Sequence, residues 1–323
     1  MDDKGLKRAG LIVNPRSGKS SGQGLRLVEM LKNTASVSTR ILDRFEHLPN
    51  YLSELGREGV TDLFISSGDG TIQAIQTELA ERSPFSNLPR LSLMPHGTTN
   101  MTAADLGFRH RSITAQAEYI HNLQPSHTRD RHTLRVVNPQ DGKPRHGMFL
   151  GTGAISEASL YCQRVLNARG VKGSWATFAT LAGATGRTMF SKPNPNDETR
   201  FDRPYPLQMT TEGKEICSGV QLLLLSTTLE KLILNARPFW GGAKGPIRTT
   251  VLPYPVPNIP RWLLPMMYAS EARKIPAGAL SISTRSLEIT CPISYVIDGE
   301  FFVGPKETPL RVETGPLFTY LCG

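Results

Sequence analysis

Solid apolar runs alternate with helically spaced apolar positions through the first part of the chain. Ala9-Gly10-Leu11-Ile12-Val13 predicts a short buried strand, and after a Gly/Ser-rich turn Leu25, Leu27, Val28 and Leu31 recur as on one helix face. Val37 to Leu42 predicts a second strand, and Leu48, Leu52 and Leu55 then keep helical spacing until Gly59. Leu63-Phe64-Ile65 predicts a third strand, with Ile72, Ile75 and Leu79 following at helical intervals, and Leu91-Ser92-Leu93-Met94 predicts a fourth. Strands alternating with helices predict a doubly wound parallel sheet, whose ligands bind beyond the carboxyl ends of the strands.

The pattern changes near Pro125. Strand-like stretches follow at His132 to Val137, Gly147 to Gly151, Leu207 to Thr211, Val220 to Ser226, Leu280 to Ser283, Leu287 to Cys291 and Ser294 to Ile297. One helical stretch, about Glu157 to Gly186, interrupts them, and the Pro-rich segments Pro193 to Pro206 and Pro253 to Pro265 read as loops. This half predicts an antiparallel β domain with inserted helices.

Composition narrows the function classes. A length of 323 residues fits two domains, and 39% apolar against 20% charged residues is enough to build cores. The longest apolar blocks, Leu222 to Leu225 and Trp262 to Tyr268, fall far short of the roughly 18 residues a spanning helix needs. Residues Met1 to Arg8 carry no apolar signal region, and Cys162, Cys217, Cys291 and Cys322 lie too far apart for a disulfide framework or a zinc site, which points to a reducing cytosol. The seven histidines show no paired metal spacing and read as solvated surface residues. With 37 Lys and Arg against 28 Asp and Glu the net charge is +9, which calls for an anionic partner: nucleic acid, an acidic membrane surface or a polyphosphate ligand. The basic residues are scattered, with no aromatic-interleaved run, so nucleic acid is the weakest of these partners.

Three turns carry the candidate chemistry. Asn14-Pro15-Arg16-Ser17-Gly18-Lys19, Ser67-Gly68-Asp69-Gly70-Thr71 and Pro95-His96-Gly97-Thr98-Thr99-Asn100 each place small residues between a strand and a helix. Phosphate needs close backbone approach, which glycine permits, and a following helix presents unpaired N–H groups and its positive dipole end. Arg16 and Lys19 add cations for phosphate oxygens. An acid inside such a turn, Asp69, makes sense beside a cation, and Mg²⁺ is commonly held by one or two carboxylates, waters and phosphates.

These turns, with Val13 before the first of them, resemble the ordered motifs of the diacylglycerol kinase catalytic domain family, which includes sphingosine and ceramide kinases and is distantly related to NAD kinases. Ile297-Asp298-Gly299-Glu300 is similar to the Asp-Gly-Glu signature late in its bacterial lipid kinases. The resemblance implies an ATP-binding α/β domain over residues 1–127, a β-sandwich lipid domain over 128–309, and a C-terminal strand at about 310–323 returning to the first domain. It implies an ATP- and Mg²⁺-dependent kinase acting on a hydroxyl of a membrane lipid such as diacylglycerol, ceramide or a sphingoid base. Asn14, Pro15, Arg16, Ser17, Gly18, Ser67, Gly68, Asp69, Gly70, Thr71, Gly97, Thr98 and Asn100 would contact the nucleotide. Asp69 would hold the metal, and Glu300, with Asp298 beside it, or Asp69 itself would be the base. Such an enzyme is expected in the cytoplasm, visiting an anionic inner membrane face, with its oligomeric state left open, a homodimer included.

The chain departs from the family at Ser67, where a first Gly is usual, and at Met101-Thr102-Ala103, where many members have Asp-Phe-Ala. The region Phe239 to Pro246 has no acid where bacterial members carry an Asp-Asp-Gly stretch holding a structural Mg²⁺. Asp298-Gly299 is also a good hairpin-turn pair in its own right. Gly18-Lys19-Ser20 lacks the upstream Gly of a Walker sequence, and Gly18-Lys19-Ser20-Ser21-Gly22 lies too far beyond Val13 for a hydrolase elbow. Gly151-Thr152-Gly153 lacks the third Gly of a dinucleotide fingerprint. Ile259 to Tyr268, aromatic and aliphatic with Arg261 among them, reads either as a membrane-interface or lipid-gating segment or as a short helix packed on the β domain. Two other readings of the whole remain: a kinase of a soluble substrate of the NAD kinase type, and a lipid-binding protein on a degenerate kinase fold.

Overall fold

The computed structural model describes residues 8–17, 21–97, 100–122, 127–160, 203–256, 258–268, 275–290 and 294–323. Gly18, Thr98, most of the stretch Glu157 to Gly186, and the first Pro-rich segment as far as 202 lie outside them. The chain divides into two compact units, Met1–Arg131 with Pro316–Gly323, and His132–Gly315.

In the first unit β1 (Ala9–Val13), α1 (Ser21–Leu31), β2 (Val37–Ile41), α2 (Leu48–Arg57), β3 (Asp62–Ser67), α3 (Asp69–Arg82) and β4 (Arg90–Pro95) alternate as the apolar pattern predicts. β1 pairs in parallel with β2 and β3, and β3 pairs in parallel with β4. Two short helices follow, α4 (Met101–Leu106) and α5 (Ile113–Asn122). Every residue of β1 and β3 is buried, so neither strand shows an in-out alternation, as befits a sheet covered on both faces. Helix residues Leu52, Leu55, Ile72, Ile75 and Leu79 cover one face with Ile12, Leu63 and Ile65, while Leu27, Leu31 and Ile120 cover the other with Leu11 and Phe64. At the edge of β4, Tyr320 of the last strand, β15 (Leu310–Leu321), pairs in parallel with Leu91.

The second unit is antiparallel. β5 (Thr128–Val136) leads in from the first unit, followed by β6 (Arg145–Gly147), β7 (Phe149–Gly153), β8 (Tyr205–Thr211), β9 (Lys214–Thr227), β10 (Ile247–Pro253), β11 (Leu280–Thr284), β12 (Ser286–Thr290), β13 (Tyr295–Ile297) and β14 (Glu300–Phe302). β9 is long enough to pair with β8 along its first half and with β7 and β10 along its second. Leu134, Leu150, Leu207, Leu224, Val251, Leu287 and Val312 meet in one core.

Three sequence expectations change. The predicted strand Gly147 to Gly151 is split, because Met148 stands between β6 and β7 and its N–H is taken by the Asp298 carboxylate. β10 falls in a segment that the apolar pattern leaves unassigned. The second Pro-rich segment, read as a loop, contains a helix, α6 (Ile259–Met267), the short packed helix that was the alternative reading of Ile259 to Tyr268; Pro260 enters it at the first turn, where a missing N–H costs nothing. Among the described residues no helix is long and apolar enough to cross a membrane.

Candidate nucleotide site in the first unit

Three loops leave the carboxyl ends of β1, β3 and β4, and in the structure they meet. A Cβ built on Gly97 would lie 2.4 Å from the Cα of Gly68 and 3.2 Å from its backbone nitrogen. A Cβ on Gly68 would meet Gly97 Cα at 3.5 Å and Ser17 Cβ at 4.0 Å. The first and second loops are tied twice: the Asn14 backbone N–H donates to Ser66 O at 3.1 Å, and Asn14 Nδ2 donates to Thr71 Oγ1 at 2.9 Å. Asn14 Oδ1 accepts from the Arg16 N–H at 2.9 Å, which shapes the turn and leaves Arg16 exposed. The third loop closes on itself, since Asn100 Oδ1 accepts from Gly97 N–H at 2.7 Å while Asn100 Nδ2 donates to Gly97 O at 2.9 Å. Asn100 does this at φ 51°, a left-handed conformation that asparagine tolerates better than most residues.

α3 starts at the meeting point. Gly68 is its N-cap, and its carbonyl accepts the N–H groups of Thr71 and Ile72. The earlier amides of the first turn, at Asp69 and Gly70, have no intrahelical acceptor and give that end of the helix its anion-binding character. Asp69 is half-buried, and its Oδ1 is sealed from solvent with no hydrogen-bond partner. Burial raises its pKa, while the nearby backbone N–H groups of Met101, Thr102 and Asn100 pull it down, and burial wins. A buried carboxylate oxygen without a partner is costly alone and is satisfied by a cation, so the donor set fits Mg²⁺ shared with phosphate and water. Among the described residues no group of three or more His, Cys, Asp or Glu could form a metal cage by itself.

The pairing of His96 with Ser66 and the close approach of Gly24 to Ser66 escape the sequence reading of the motifs. His96 is buried, not solvated, and its Nδ1 lies 2.7 Å from Ser66 Oγ. Burial lowers its pKa, with the Gln116 side chain acting weakly the other way. Ser66 also receives α1: a Cβ on Gly24 would come within 2.5 Å of Ser66 Oγ and of Val13 Cγ1. The Gly24 signal was present as the end of the Gly/Ser-rich run, but the Ser66–His96 pairing joins positions 30 residues apart and left no local trace. His146, at 1% exposure, likewise contradicts the surface reading of the histidines, its Nδ1 lying 2.9 Å from buried Thr133 Oγ1.

The late motif forms a hairpin in the second unit. Asp298 (φ 47°) and Gly299 (φ 88°) make the turn between β13 and β14, with Ile297 opposite Glu300. Both Asp298 carboxylate oxygens are engaged, Oδ2 by Met148 N–H and Oδ1 by Phe149 N–H, each at 2.9 Å. Glu300 stands exposed at the start of β14. In the acid-free region the backbone packs closely on β11: Cβ atoms on Gly241 and Gly245 would lie 2.3 Å from Ser281 O and 2.2 Å from Thr284 O. Ser283 Oγ bridges Gly245, accepting its N–H at 3.0 Å and donating to its carbonyl at 2.7 Å.

Residues 8–129 match the diacylglycerol kinase catalytic domain family. A protein of Streptococcus pneumoniae named "Putative lipid kinase" is 30% identical over 101 residues, which is 30% of this chain and 33% of that protein, so the matched stretch spans about a third of the curated relative. A structure from Bacillus anthracis described as "a putative diacylglycerol kinase" superposes with a TM-score of 0.66 at 17% identity, covering 98% of this chain and 97% of the other. A second from the same organism, titled among "diacylglycerol kinases", gives 0.61 at 16% identity over the same shares. Those structural likenesses show the fold, with parallel strands first and antiparallel strands after. The stretch that matches the diacylglycerol kinase catalytic domain family, residues 8–129, contains all three converging loops.

Proposed function

We propose that this chain is an ATP- and Mg²⁺-dependent lipid kinase that phosphorylates a hydroxyl of a membrane lipid. The observation that carries the reading is the meeting of Ser17, Gly68 and Gly97 at the start of α3, beside a buried, unpaired Asp69 oxygen. ATP would supply the phosphoryl group and Mg²⁺ would offset its charge. The chain's own work is positioning. Asn14, fixed to Thr71, sets the first loop against the second, and the amides of Asp69 and Gly70 face outward for phosphate oxygens. Asp69 offers the carboxylate for the cation.

Phosphoryl transfer also needs a group to take the hydroxyl proton. Exposed Glu300 suits that role, with Asp69 as the other candidate. Asp298, its oxygens committed to two backbone amides, positions the hairpin that carries Glu300. The enzyme would work in the cytoplasm at an anionic membrane face. The test is transfer from labelled ATP to diacylglycerol, monoacylglycerol, ceramide and a sphingoid base in mixed micelles, with NAD as the soluble competitor. Labelled lipid product that disappears in Asp69→Asn supports the reading. Transfer to NAD alone, or undiminished lipid phosphorylation in Asp69→Asn, sinks it.

A further inference from the structure

α6 in the second unit has two unlike faces. Ile259, Trp262 and Met266, at i, i+3 and i+7, pack on a small cluster with Leu222, Leu252 and Val256. The opposite stripe, again at i, i+3 and i+7, is Arg261, Leu264 and Tyr268, with Leu264 64% exposed. That stripe does not stand alone. Tyr268 Oη donates to Leu234 O at 3.0 Å, and the Arg237 N–H donates to Met267 O at 2.6 Å. These bonds fasten to the end of α6 a short turn, Ile233–Asn235, whose Ile233 and Leu234 are 55% and 64% exposed.

Leu234 is held at φ 58° and Asn235 at φ 56°. A bulky residue in the left-handed region is strained, and such strain persists where surrounding contacts enforce it, often for a function. Here it displays a leucine to solvent. The charge around these tips is one-sided: residues 229–268 contain the single acid Glu230 against Lys231, Arg237, Lys244, Arg248 and Arg261. Arg237, Lys244 and Arg261 are exposed, and the Arg261 guanidinium sits 5.7 Å from the centre of the Trp262 ring.

We propose that the outer stripe of α6 and the turn at 233–235 form one docking surface for an anionic phospholipid bilayer. Leu234 and Leu264 enter the boundary between headgroups and acyl chains, Tyr268 lies at headgroup level, and Arg237 and Arg261 meet lipid phosphates. The match is chemical: exposed leucines, exposed cations on the same two segments and an amphipathic tyrosine bonded to the turn suit an interface that is oily below and negative above. A soluble protein partner would leave the excess of cations to find a matching acidic patch, whereas an anionic leaflet supplies negative charge everywhere. The inference rests on the reading of the chain as a lipid kinase and deepens it by naming the surface through which the enzyme meets its substrate.

The experiment is co-sedimentation of the full chain with phosphatidylcholine vesicles, with and without phosphatidylglycerol, for wild type, Leu234→Asn/Leu264→Ser and Arg237→Ala/Arg261→Ala. Wild type is expected on the anionic vesicles, releasing as salt rises. Loss of the two leucines should weaken partition at least about tenfold. Loss of the two arginines should weaken it by about fivefold per charge, and only on anionic vesicles. All four positions are exposed, so both variants should melt like wild type, and both should phosphorylate a short-chain, water-soluble acceptor at the wild-type rate without vesicles. Variants that partition like wild type, or a wild type that ignores anionic vesicles, overturn the surface. A wild type that partitions through these residues yet phosphorylates no lipid keeps the surface and overturns the kinase reading instead.

Discussion

Gly97 and Gly68 approach so closely that a Cβ on the first would fall 2.4 Å from the Cα of the second. The contact is between backbones, so neither side can yield by rotating a side chain. Gly97→Ala must therefore push the third loop away from the start of α3. The expected result is a lower melting temperature and loss of ATP binding in calorimetry. Gly68→Ala is the control: its φ of −90° is open to alanine, and its Cβ would meet neighbours at ordinary distances of 3.5 and 4.0 Å. That variant should melt like wild type, and weaker ATP binding in it would report a Cβ standing where phosphate belongs.

Much of this site was legible because parallel strands buried on both faces are solid apolar runs and the loops after them are rich in glycine. Leu63-Phe64-Ile65 leading into Ser67-Gly68-Asp69-Gly70 shows both signals at once. What stayed hidden was hidden by polarity or by distance. β10 reads Ile-Arg-Thr-Thr-Val-Leu-Pro, and its run of polar residues, Arg-Thr-Thr, interrupts the apolar pattern that marks the other strands. In the fold Thr249 Oγ1 lies 2.8 Å from Ser226 Oγ, and Thr250 Oγ1 donates to Ser281 Oγ at 3.2 Å, so their partners come from neighbouring strands and remove the cost of burial. α6 was only half legible: its prolines suggested a loop, while the spacing of Ile259 to Tyr268 also allowed the short packed helix that forms, with a proline at its first turn. His96 was hidden because only the folded sheet brings Ser66 to it.

Asp69 makes stability depend on pH in a definite sense. Burial, only partly offset by the amides of Met101, Thr102 and Asn100, raises its folded pKa above the unfolded value. The native state then binds more protons than the unfolded state in between, so stability is highest below the usual carboxylate range and falls as pH rises through the raised value. Asp69→Asn removes that penalty. It should melt higher than wild type at neutral pH, equal it in acid, and transfer no phosphate. Equal melting temperatures of the two proteins at neutral pH would show that the carboxylate carries no burial cost.

His96 acts at the other end of the range. Burial depresses its pKa, so the fold prefers the neutral ring that lies against Ser66 Oγ. The unfolded state takes up a proton first, and stability is lost as pH falls from about 6.5, the unperturbed histidine value, towards the lower folded value. His96→Gln keeps a hydrogen-bonding side chain without that titration. Its melting temperature should fall less steeply than that of wild type as pH drops from neutral into that window. An unchanged slope would assign the acid sensitivity to other groups.

Asp298 separates structure from chemistry in the late motif. Its carboxylate, 5% exposed, accepts the N–H groups of Met148 and Phe149, and its own N–H donates to Phe149 O at 3.0 Å. Asp298→Ala strands two donors, one buried and one part-buried, and at about 1–3 kcal/mol for each unsatisfied group the loss should be about 2–6 kcal/mol in denaturant unfolding. Asp298→Asn keeps one acceptor and tolerates the left-handed backbone at φ 47°, so it should fall between alanine and wild type. Glu300→Gln, at an exposed strand position, should leave stability unchanged while reducing transfer if Glu300 takes the proton. The two substitutions thus divide the motif: residual transfer in Asp298→Asn should track the folded fraction, whereas in Glu300→Gln it should fall with the protein fully folded. Transfer abolished in a well-folded Asp298→Asn would instead place that carboxylate in the chemistry itself.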